Sequence, residues 1–497
     1  MATIEIKNLT FAYEGSYDNV FENVDLRLDT SWRLGLVGRN GCGKTTLLNL
    51  LQGKLKGSGK IITPLEVGYF PYTVPDPGRN TCLVAEELLG EVPFWQFLRE
   101  LGLLQMDMEV LERSYDTLSG GEQARVQLAA LFAGEDRFLL IDEPTNHLDM
   151  EGRKVIGEYL KSKQGFILVS HDRTLLDESV DHILAVNRAD IVLRQGNFSA
   201  WWQDKQQQDA LELRQNEKLK KDIGRLEAAS RRTAGWSDKV EKTKSRSANN
   251  GASGGAAMLD KGFVGHKAEK MMQRAKNLER RRENAVEEKK GLLKNIEQSD
   301  SLKITGLPAR KGKMIEFLDV DIFYGEKTVC RGLRFSLEAG EHVSIQGPNG
   351  CGKSTILKLI LGQDIAHTGL LHRMSGLTIS YVPQDASFLR GSLSAYAEEK
   401  GIDLSQFMTI LRKLGFSRTQ VEKDMADFSA GQKKKVLLAG SLCQRAHLYI
   451  WDEPLNYIDL ISRLQIEELL KNADISMLFV EHDEAFCREI ATKTVQL

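Results

Sequence analysis

The chain has 497 residues, of which 41% are hydrophobic and 27% charged, as in ordinary globular proteins of two to four domains. No run approaches the roughly 18 apolar residues of a membrane span, and the start MATIEIKNLTF lacks a signal peptide's layout. Six scattered cysteines without a C-x-x-C pair exclude a cysteine-ligated zinc or iron–sulfur module of familiar spacing, and favour a reducing cytoplasm. The net charge of −2 argues against a strongly charged partner only if the charge is evenly distributed.

The first element with a chemical signature is a glycine-rich loop between an apolar run and an amphipathic stretch. It matches G-x-x-x-x-G-K-[ST], in which backbone N–H groups converge on phosphate oxygens at a helix N-terminus. Lys44 is predicted to reach the β- and γ-phosphates, and the Thr45 hydroxyl to ligate Mg²⁺. The predicted nucleotide contacts are Gly38, Arg39, Asn40, Gly41, Cys42, Gly43, Lys44, Thr45 and Thr46.

Three further landmarks follow in the same half of the chain. The segment Ser119-Gly120-Gly121-Glu122 predicts a helix start whose small residues admit a phosphate, although alone it fits an ordinary N-capped helix. In FLLIDEPTNHLD, an apolar strand ends at Asp142, a candidate Mg²⁺ ligand, and Glu143, a candidate for polarising the attacking water. The alternative is that these acids cap a strand or helix. His171 follows the apolar run FILVS, where a histidine is either structural or a γ-phosphate contact.

A charged segment comes next. Residues 201–300 hold 23 Lys or Arg and 16 Asp or Glu, which gives +7 there and −9 on the rest of the chain. Apolar residues at helical spacing predict two antiparallel helices, with a glycine-rich stretch between them. One interpretation is a solvated spacer. However, a ~30-residue helix spans about 45 Å, a length that a spacer does not require.

The same landmarks return at matching intervals in the last third of the chain. The lysine-to-serine distance is 75 residues in the first copy and 76 in the second, and the serine-to-aspartate distance is 23 in both. The chain is therefore predicted to contain two homologous α/β domains. In the second copy, Glu453 and His482 are the candidate catalytic residues, and Ser354, Gln384 and Asp452 the candidate metal ligands. The predicted nucleotide contacts are Gly347, Pro348, Asn349, Gly350, Cys351, Gly352, Lys353, Ser354, Thr355, Ser429, Ala430, Gly431 and Gln432.

This set of motifs resembles the ATP-binding-cassette ATPases over residues 1–205 and 310–497. Two cassettes with a long charged helical insert resemble the ABC-F class. Within it, GLVGRNGCGKTTLL, FILVSHDR, RKLGF and YIWDEPLNYID are most similar to Lsa-type antibiotic-resistance ribosomal protection proteins. The resemblance implies a P-loop ATPase that uses ATP and Mg²⁺. The predicted domains are a first domain at 1–203 (helical subdomain about 73–117), a helical linker at 204–300 (tip loop about 231–267) and a second domain at 301–497.

The family places two cassettes head to tail, so that each ATP lies between one P-loop and the other signature segment. By resemblance, the first P-loop pairs with Ser429–Gly431, and the second pairs with Ser119–Gly121. Tyr13 and Tyr324 match the family's adenine-stacking position, although each also fits a plain strand residue.

The first of these composite sites departs twice from the family pattern. Tyr72 stands where the second copy has Gln384, and the second signature segment has Ala430 where the first has Gly120. A tyrosine cannot offer an amide oxygen to Mg²⁺, and an added methyl crowds a backbone approach to phosphate. We therefore expect slower hydrolysis at the first site.

The resemblance implies that the insert enters the exit (E) site of the 50S subunit and approaches the peptidyl-transferase centre and P-site tRNA. Residues 231–282 carry 14 basic and 5 acidic side chains, which favours salt-sensitive attraction to RNA phosphates. Trp236 and Phe263 either stack on bases or pack within the arm. The predicted RNA and tip contacts are Arg231, Arg232, Trp236, Lys239, Lys242, Lys244, Arg246, Met258, Leu259, Phe263, Val264, Lys267, Lys270, Arg274 and Lys276.

The expected function is resistance to lincosamides, pleuromutilins and streptogramin A compounds by ribosome protection. The protein is expected to be a cytoplasmic monomer that binds 23S rRNA and leaves the ribosome when ATP is hydrolysed. Three alternatives remain open at this level. They are a housekeeping ABC-F translation factor, the ATPase subunit of an exporter, and a DNA-repair or chromosome-organising cassette ATPase. The basic insert argues against the exporter, and two uninterrupted cassettes argue against the third.

Overall fold

The computed structural model describes residues 2–13, 19–134, 137–146, 148–187, 191–219, 221, 304, 306–308, 312–325, 327–348 and 350–497. Two compact units divide the chain: Met1–Trp201 together with Ser299–Leu497, and Trp202–Gln298. We call the part of the first unit before residue 202 the first repeat, and the part after residue 303 the second repeat.

The first repeat contains two sheets. Strands β1 (Thr3–Phe11), β2 (Phe21–Asp29) and β4 (Ser58–Ile62) form an antiparallel sheet with the order β2-β1-β4. The other sheet has the order β5-β6-β7-β3-β8-β9. Its strands are β3 (Arg33–Val37), β5 (Glu66–Phe70), β6 (Arg137–Asp142), β7 (Phe166–Val169), β8 (His182–Val186) and β9 (Ile191–Gln195). Only β9 runs antiparallel to its neighbour in that sheet. Apolar side chains of both sheets and of the first helix form one core.

The second repeat has the same two-sheet plan. Strands β10 (Lys313–Tyr324), β11 (Lys327–Glu338) and β13 (His367–Arg373) are antiparallel, in the order β11-β10-β13. The parallel sheet has the order β14-β15-β16-β12-β17, with β12 (His342–Gln346), β14 (Ile379–Val382), β15 (Leu448–Asp452), β16 (Met477–Val480) and β17 (Lys493–Gln496). Strands buried on both faces need continuous apolar runs, which explains segments such as LYIWD.

Helices connect and cover the strands. Those of the first repeat are α1 (Lys44–Leu51), α2 (Thr81–Leu89), α3 (Phe94–Leu103), α4 (Gly120–Phe132), α5 (Met150–Lys161) and α6 (Arg173–Ser179). Helix α7, at 198–219, begins in the first repeat and continues into the insert. Those of the second are α8 (Lys353–Ile360), α9 (Leu393–Glu399), α10 (Leu404–Lys413), α11 (Arg418–Val421), α12 (Ala430–Cys443), α13 (Leu460–Lys471) and α14 (Glu484–Ile490). Three short 3₁₀ turns complete the described helical segments, at Met108–Glu112, Tyr115–Thr117 and Met425–Asp427.

The fold class is confirmed for the paired nucleotide-binding folds, which are α/β with open parallel sheets. Of the insert, the described residues up to 219 are helical. The predicted antiparallel return helix and the predicted tip residues lie outside the described residues. Within the described ranges, no helix is both long and apolar enough to cross a bilayer.

Candidate active site

The two glycine-rich loops adopt the same conformation. Gly43 and Gly352 precede α1 and α8 with φ of 102° and 104°, a region that favours glycine. The side chain of the lysine that follows each glycine folds back onto its own loop. Lys44 Nζ donates to the carbonyls of Gly38 (2.8 Å) and Arg39 (3.1 Å), and Lys353 Nζ donates to those of Gly347 (2.8 Å) and Pro348 (2.8 Å). Both loops therefore hold an ammonium group above a helix N-terminus, as phosphate binding requires.

Both acidic pairs lie where a buried parallel strand ends. Glu143 and Glu453 follow β6 and β15 directly, at the edge where open α/β sheets bind ligands. Both take left-handed backbone conformations, with φ of 52° and 46°. This conformation is costly for a residue with a side chain, and such strain concentrates at functional sites. Its recurrence in both repeats supports a shared role for the two glutamates.

In the second repeat, polar partners surround Glu453. Asn456 Nδ2 donates to its Oε2 (2.6 Å), His482 Nε2 lies 3.4 Å from Oε1, and Gln384 also hydrogen-bonds to the carboxylate. Burial raises the pKa of Glu453, but the hydrogen bonds from His482 and Gln384 and the nearby Lys434 charge outweigh it, so the pKa is lowered. This carboxylate is therefore ionised near neutral pH, as a base must be.

Asp452 lies among oxygen-bearing groups of the kind that bind Mg²⁺. Burial raises its pKa to about 6, although a hydrogen bond from the Ser354 hydroxyl opposes the shift. Its buried Oδ1 has no hydrogen-bond partner among the residues that the structure describes. A buried carboxylate oxygen without a donor, beside a hydroxyl, suits a hard cation. The Gln384 side chain, bonded to the adjacent Glu453, lines the same cleft. These residues fit Mg²⁺.

The first repeat arranges its acids differently. Tyr69 donates to Asp142 Oδ2 (3.2 Å), and burial raises the pKa of Asp142. Glu143 accepts the backbone N–H of His171 (3.3 Å), and His171 Nε2 lies 3.4 Å from its other oxygen. Burial, reinforced by Asp142, raises the pKa of Glu143 to about 7. Burial and the Lys44 charge hold the pKa of His171 well below its ordinary value.

Tyr72, which stands in the first repeat where the second has Gln384, is bonded to a residue other than Asp142 and Glu143. The Tyr72 hydroxyl donates to Glu87 Oε1 (2.7 Å) on α2, and the Gln127 side chain bonds both the N–H and the carbonyl of Tyr72. The first site therefore has no counterpart, among its described residues, of the bond between Gln384 and Glu453. The two sites differ where the sequence departs from the family pattern.

A cleft of about 560 Å³ brings the second set of residues together. It is lined by Tyr324, Thr328, Val329, Gly350, Gly352, Lys353, Ser354, Thr355, Gln384, Glu453, Asn456 and His482 from the second repeat. Leu148 and Arg153 complete the lining from the first repeat. The cleft therefore lies between the repeats. Ser119, Gly120 and Gly121 are not among the residues that line it.

At the first P-loop, the contact between repeats includes the signature segment. Asn40 Nδ2 donates to the Tyr457 carbonyl (3.0 Å), and a Cβ added to Gly431 would lie 3.3 Å from the same Nδ2. In addition, Arg173 Nη1 lies 3.5 Å from Glu467 Oε2. This is the head-to-tail arrangement that the resemblance implies for the first P-loop.

The signature segments begin α4 and α12 with capping boxes. Ser119 Oγ accepts the Glu122 N–H, and Glu122 Oε2 accepts the Ser119 N–H (2.7 Å); Ser429 and Gln432 repeat the pattern. The side chains of Glu122 and Gln432 are thus engaged with the backbone of their own helix. Their expected contacts to ATP remain predictions.

The two aromatic residues expected at the adenine are both about half exposed, at 48% for Tyr13 and 51% for Tyr324. Tyr324 lines the cleft, and the Tyr13 hydroxyl lies 2.8 Å from the Thr46 hydroxyl on α1. Both lie beside a P-loop. Asn349 and the tip residues fall outside the described residues.

Sequence reasoning missed several residues at these sites. Arg153 and Arg463 lie four residues after Asp149 and Asp459, so aligning the two repeats would have paired them. Lys434 is buried and donates to the carbonyls of Pro383 (2.8 Å), Gln384 (3.0 Å) and Asp452 (3.2 Å). The equivalent position of the first repeat is an alanine, so only the run of three lysines could have drawn attention to it.

Comparison with known proteins gives consistent matches. The family model described as "ABC transporter" matches residues 21–146 and 330–456. Ribosome protection protein VmlR of Bacillus subtilis (strain 168) is 29% identical over 97% of this chain and 85% of its own length. Putative ATP-binding protein YdiF of the same strain is 27% identical over 100% of this chain and 80% of its own length.

Solved structures show the same fold. An RNase-L inhibitor aligns with a TM-score of 0.61 and 18% identity, over 99% of this chain and 87% of that one. The archaeal ribosome recycling factor aABCE1, in complex with ribosomal stalk protein aP1, aligns with a TM-score of 0.61 and 18% identity, over 98% of this chain and 87% of that one. At this identity the likeness concerns the fold alone.

Proposed function

The chain belongs to the ABC transporter family and is a P-loop ATPase, and from this premise we propose that it is an ABC-F ATPase that acts on ribosomes and protects them from antibiotics. The observation that carries the proposal is the similarity to the ribosome protection protein VmlR, which extends over nearly the whole chain and thus over the insert. The +7 charge of residues 201–300 supports an RNA partner, because basic side chains are attracted to phosphates whatever the base sequence.

The nucleotide chemistry follows from the residues of the second site. Lys353 holds the β- and γ-phosphates at the N-terminus of α8, and Tyr324 borders the cleft as a surface for adenine stacking. Ser354, Asp452 and Gln384 would hold Mg²⁺, which would neutralise phosphate charge when bound. Glu453, ionised and oriented by His482 and Asn456, positions and polarises the attacking water. Thr45, Asp142, Glu143 and His171 have the same roles at the first site.

The proposed cycle uses closure of the two repeats around ATP as its switch. In the closed state the protein occupies the E site of the large subunit, and its insert extends toward the peptidyl-transferase centre and P-site tRNA. The protein thereby protects against lincosamides, pleuromutilins and streptogramin A compounds. Hydrolysis reopens the repeats and releases the ribosome. ATP binding and hydrolysis thus set the order of ribosome binding and release.

Co-sedimentation with 70S ribosomes tests the proposal. A Glu143→Gln/Glu453→Gln variant keeps ATP but cannot activate water, and we expect it to pellet with ribosomes in ATP and not in ADP. Binding should fall steeply as salt rises, because contacts to RNA phosphates release counterions. The matched control adds Lys44→Ala and Lys353→Ala, which remove phosphate binding and should leave the protein in the supernatant.

Two outcomes would contradict the proposal in different ways. If the ATP-trapped variant does not bind ribosomes at low salt, the ribosome is not the partner. If it binds, but expression of the wild-type chain leaves the minimal inhibitory concentrations of the three drug classes unchanged in a sensitive host, the chain acts as a translation factor without a resistance role.

A further inference from the structure

Two arginines occupy equivalent positions beside the active sites, and each is held by its own repeat. Arg153 Nε donates to the Leu148 carbonyl (3.2 Å), and its Nη1 donates to Asp172 Oδ2 (3.3 Å). Arg463 makes the same pair of bonds, to the Ile458 carbonyl (3.0 Å) and Asp483 Oδ2 (3.1 Å). Their side chains are only 12% and 6% exposed. Two fixed bonds orient each guanidinium before any ligand arrives.

Each arginine faces the site of the opposite repeat. Arg153 lies on α5 of the first repeat, yet it lines the cleft that contains Lys353, Glu453 and His482 of the second. Arg463 lies on α13 of the second repeat. One turn further along that helix, Glu467 Oε2 lies 3.5 Å from Nη1 of Arg173, two residues after His171 of the first repeat. Each arginine is thus anchored within its own repeat and placed beside the site of the other.

We propose that Arg153 and Arg463 each supply a positive charge in trans to the phosphates of the nucleotide bound at the opposite P-loop. A guanidinium has five N–H donors in a rigid fork, and the bonds described above use two of them. The remaining donors suit phosphate oxygens, which guanidinium groups bind through charge-assisted hydrogen bonds. Because the arginine comes from the other repeat, the charge is delivered only while the repeats are together, which makes hydrolysis depend on closure.

The anchoring aspartates connect this charge to the other site. Asp172 directly follows His171, and its Oδ1 caps α6 by accepting the Leu175 N–H (3.1 Å). Arg153 is bonded to Asp172, so a phosphate that binds Arg153 at the second site changes the electrostatic surroundings of Asp172. The loop that carries His171 at the first site is thereby affected. Asp483 and His482 are arranged in the same way, with the Phe486 N–H bonded to Asp483 (3.0 Å).

Single-turnover phosphate release from one site at a time tests the proposal. Glu143→Gln leaves the second site active, and Glu453→Gln leaves the first site active. We expect Arg153→Gln to slow release by about 10²–10³-fold in the Glu143→Gln background, the usual effect of removing one pre-oriented charge donor. The loss in the Glu453→Gln background should be at least tenfold smaller. Arg463→Gln is the matched control and should give the reverse pattern.

Three results would overturn the proposal. Arg153→Gln could slow the first site more than the second, which would make the arginine a clamp for its own repeat. It could slow both sites equally, together with a lower unfolding midpoint, which would make its role structural. Finally, Arg153→Lys, which keeps the charge, could fail to recover at least part of the second-site rate lost in Arg153→Gln, although it folds as stably as the parent.

Discussion

Asn40, in the first P-loop, donates a hydrogen bond to the backbone carbonyl of Tyr457, more than 400 residues later in the chain. Tyr457 itself has φ of 63°, and its carbonyl lies 2.4 Å from the position of a Cβ added to Gly431. The P-loop of one repeat, the loop after the acidic pair of the other and its signature segment are thus in contact around one carbonyl oxygen. Steric changes at this point should act on the first site.

Gly431→Ala should therefore damage the first site more than Gly121→Ala damages the second. The added methyl at Gly431 meets backbone, whereas at Gly121 it meets the end of the Leu148 side chain at 2.6 Å, which can rotate away. Overpacking of this kind costs about 1–3 kcal/mol. We expect about a tenfold or greater loss of first-site turnover in the Glu453→Gln background. Turnover within twofold of the parent would show that the loop at Tyr457 can move aside without slowing hydrolysis at the first site.

The two sites should hydrolyse ATP at different rates. The second has Gln384 beside an ionised Glu453, whereas the first has Tyr72 directed at Glu87, and Ala430 in its signature segment. In single-turnover assays, Glu143→Gln should therefore retain the faster phase and Glu453→Gln the slower one. Equal losses in the two variants would contradict this asymmetry.

The two sites should also respond differently to pH. The pKa of Glu143 is raised to about 7, so a growing fraction of this carboxyl is protonated as pH falls through 7, and a protonated carboxyl cannot accept a proton. First-site turnover, measured in Glu453→Gln, should rise roughly fivefold between pH 6 and 7 and level off above about pH 8. The pKa of Glu453 is lowered, so the ionisation of this carboxyl should add no rise to second-site turnover in Glu143→Gln between pH 7 and 8. Parallel profiles for the two variants would contradict the assignment of Glu143 as the base.

Lys434 and Glu481 should be energetically coupled. Burial lowers the pKa of Lys434 to about 8, while the charges of Glu481, Asp452 and Glu453 oppose the shift. The first repeat has the neutral Ala124 and Ser170 at these positions. Lys434→Met should lower the free energy of unfolding, since it leaves three carbonyls without their donor and removes a buried positive charge that interacts with Glu481.

A double-mutant cycle with Glu481→Gln measures this coupling. We expect the interaction free energy to be about 0.5–3 kcal/mol, and the double variant to be less destabilised than the sum of the single ones. Urea unfolding gives all four values. Strict additivity would show that Lys434 acts only through its bonds to the backbone carbonyls.

Glu100 should anchor the helical subdomain of the first repeat. Its side chain is 1% exposed and accepts hydrogen bonds from Tyr159 (2.8 Å), Arg99 (3.0 Å) and Lys163. Glu100→Gln should cost about 3–5 kcal/mol, because it leaves a partly buried cation without its counter-ion. The exposed Glu91→Gln is the control and should change the unfolding midpoint by less than the error of the measurement. An equal, small effect of both substitutions would contradict an anchoring role.

Local patterns were sufficient to predict the parts of each site that adjoin a strand end. Glycine loops, the acids after FLLI and LYIW, and the histidines after FILV and LFVE are signalled by their neighbours in the sequence. The confirmed α/β class follows from the same alternation of apolar strands and helix starts. Such patterns depend on residues that are close along the chain.

Contacts between distant segments were not predictable in this way. Arg153 reaches the second site only because the repeats face each other, and nothing within LDMEGRKV signals that partner. The bonds of Tyr69 to Asp142 and of Tyr72 to Glu87 depend on how α2 and β5 lie beside β6. The pKa difference between Glu143 and Glu453 likewise arises from side chains brought together by folding.

Helix α12 carries groups for both active sites on adjacent turns. Its first turn presents Gly431 to Asn40 at the first site, while Lys434, on the next turn, holds the carbonyls of Gln384 and Asp452 at the second. Gly431 and Lys434 are three residues apart, which is less than one helical turn of 3.6 residues, so the groups that serve the two sites are neighbours on one helix. The rate of hydrolysis at one site should therefore depend on which nucleotide occupies the other.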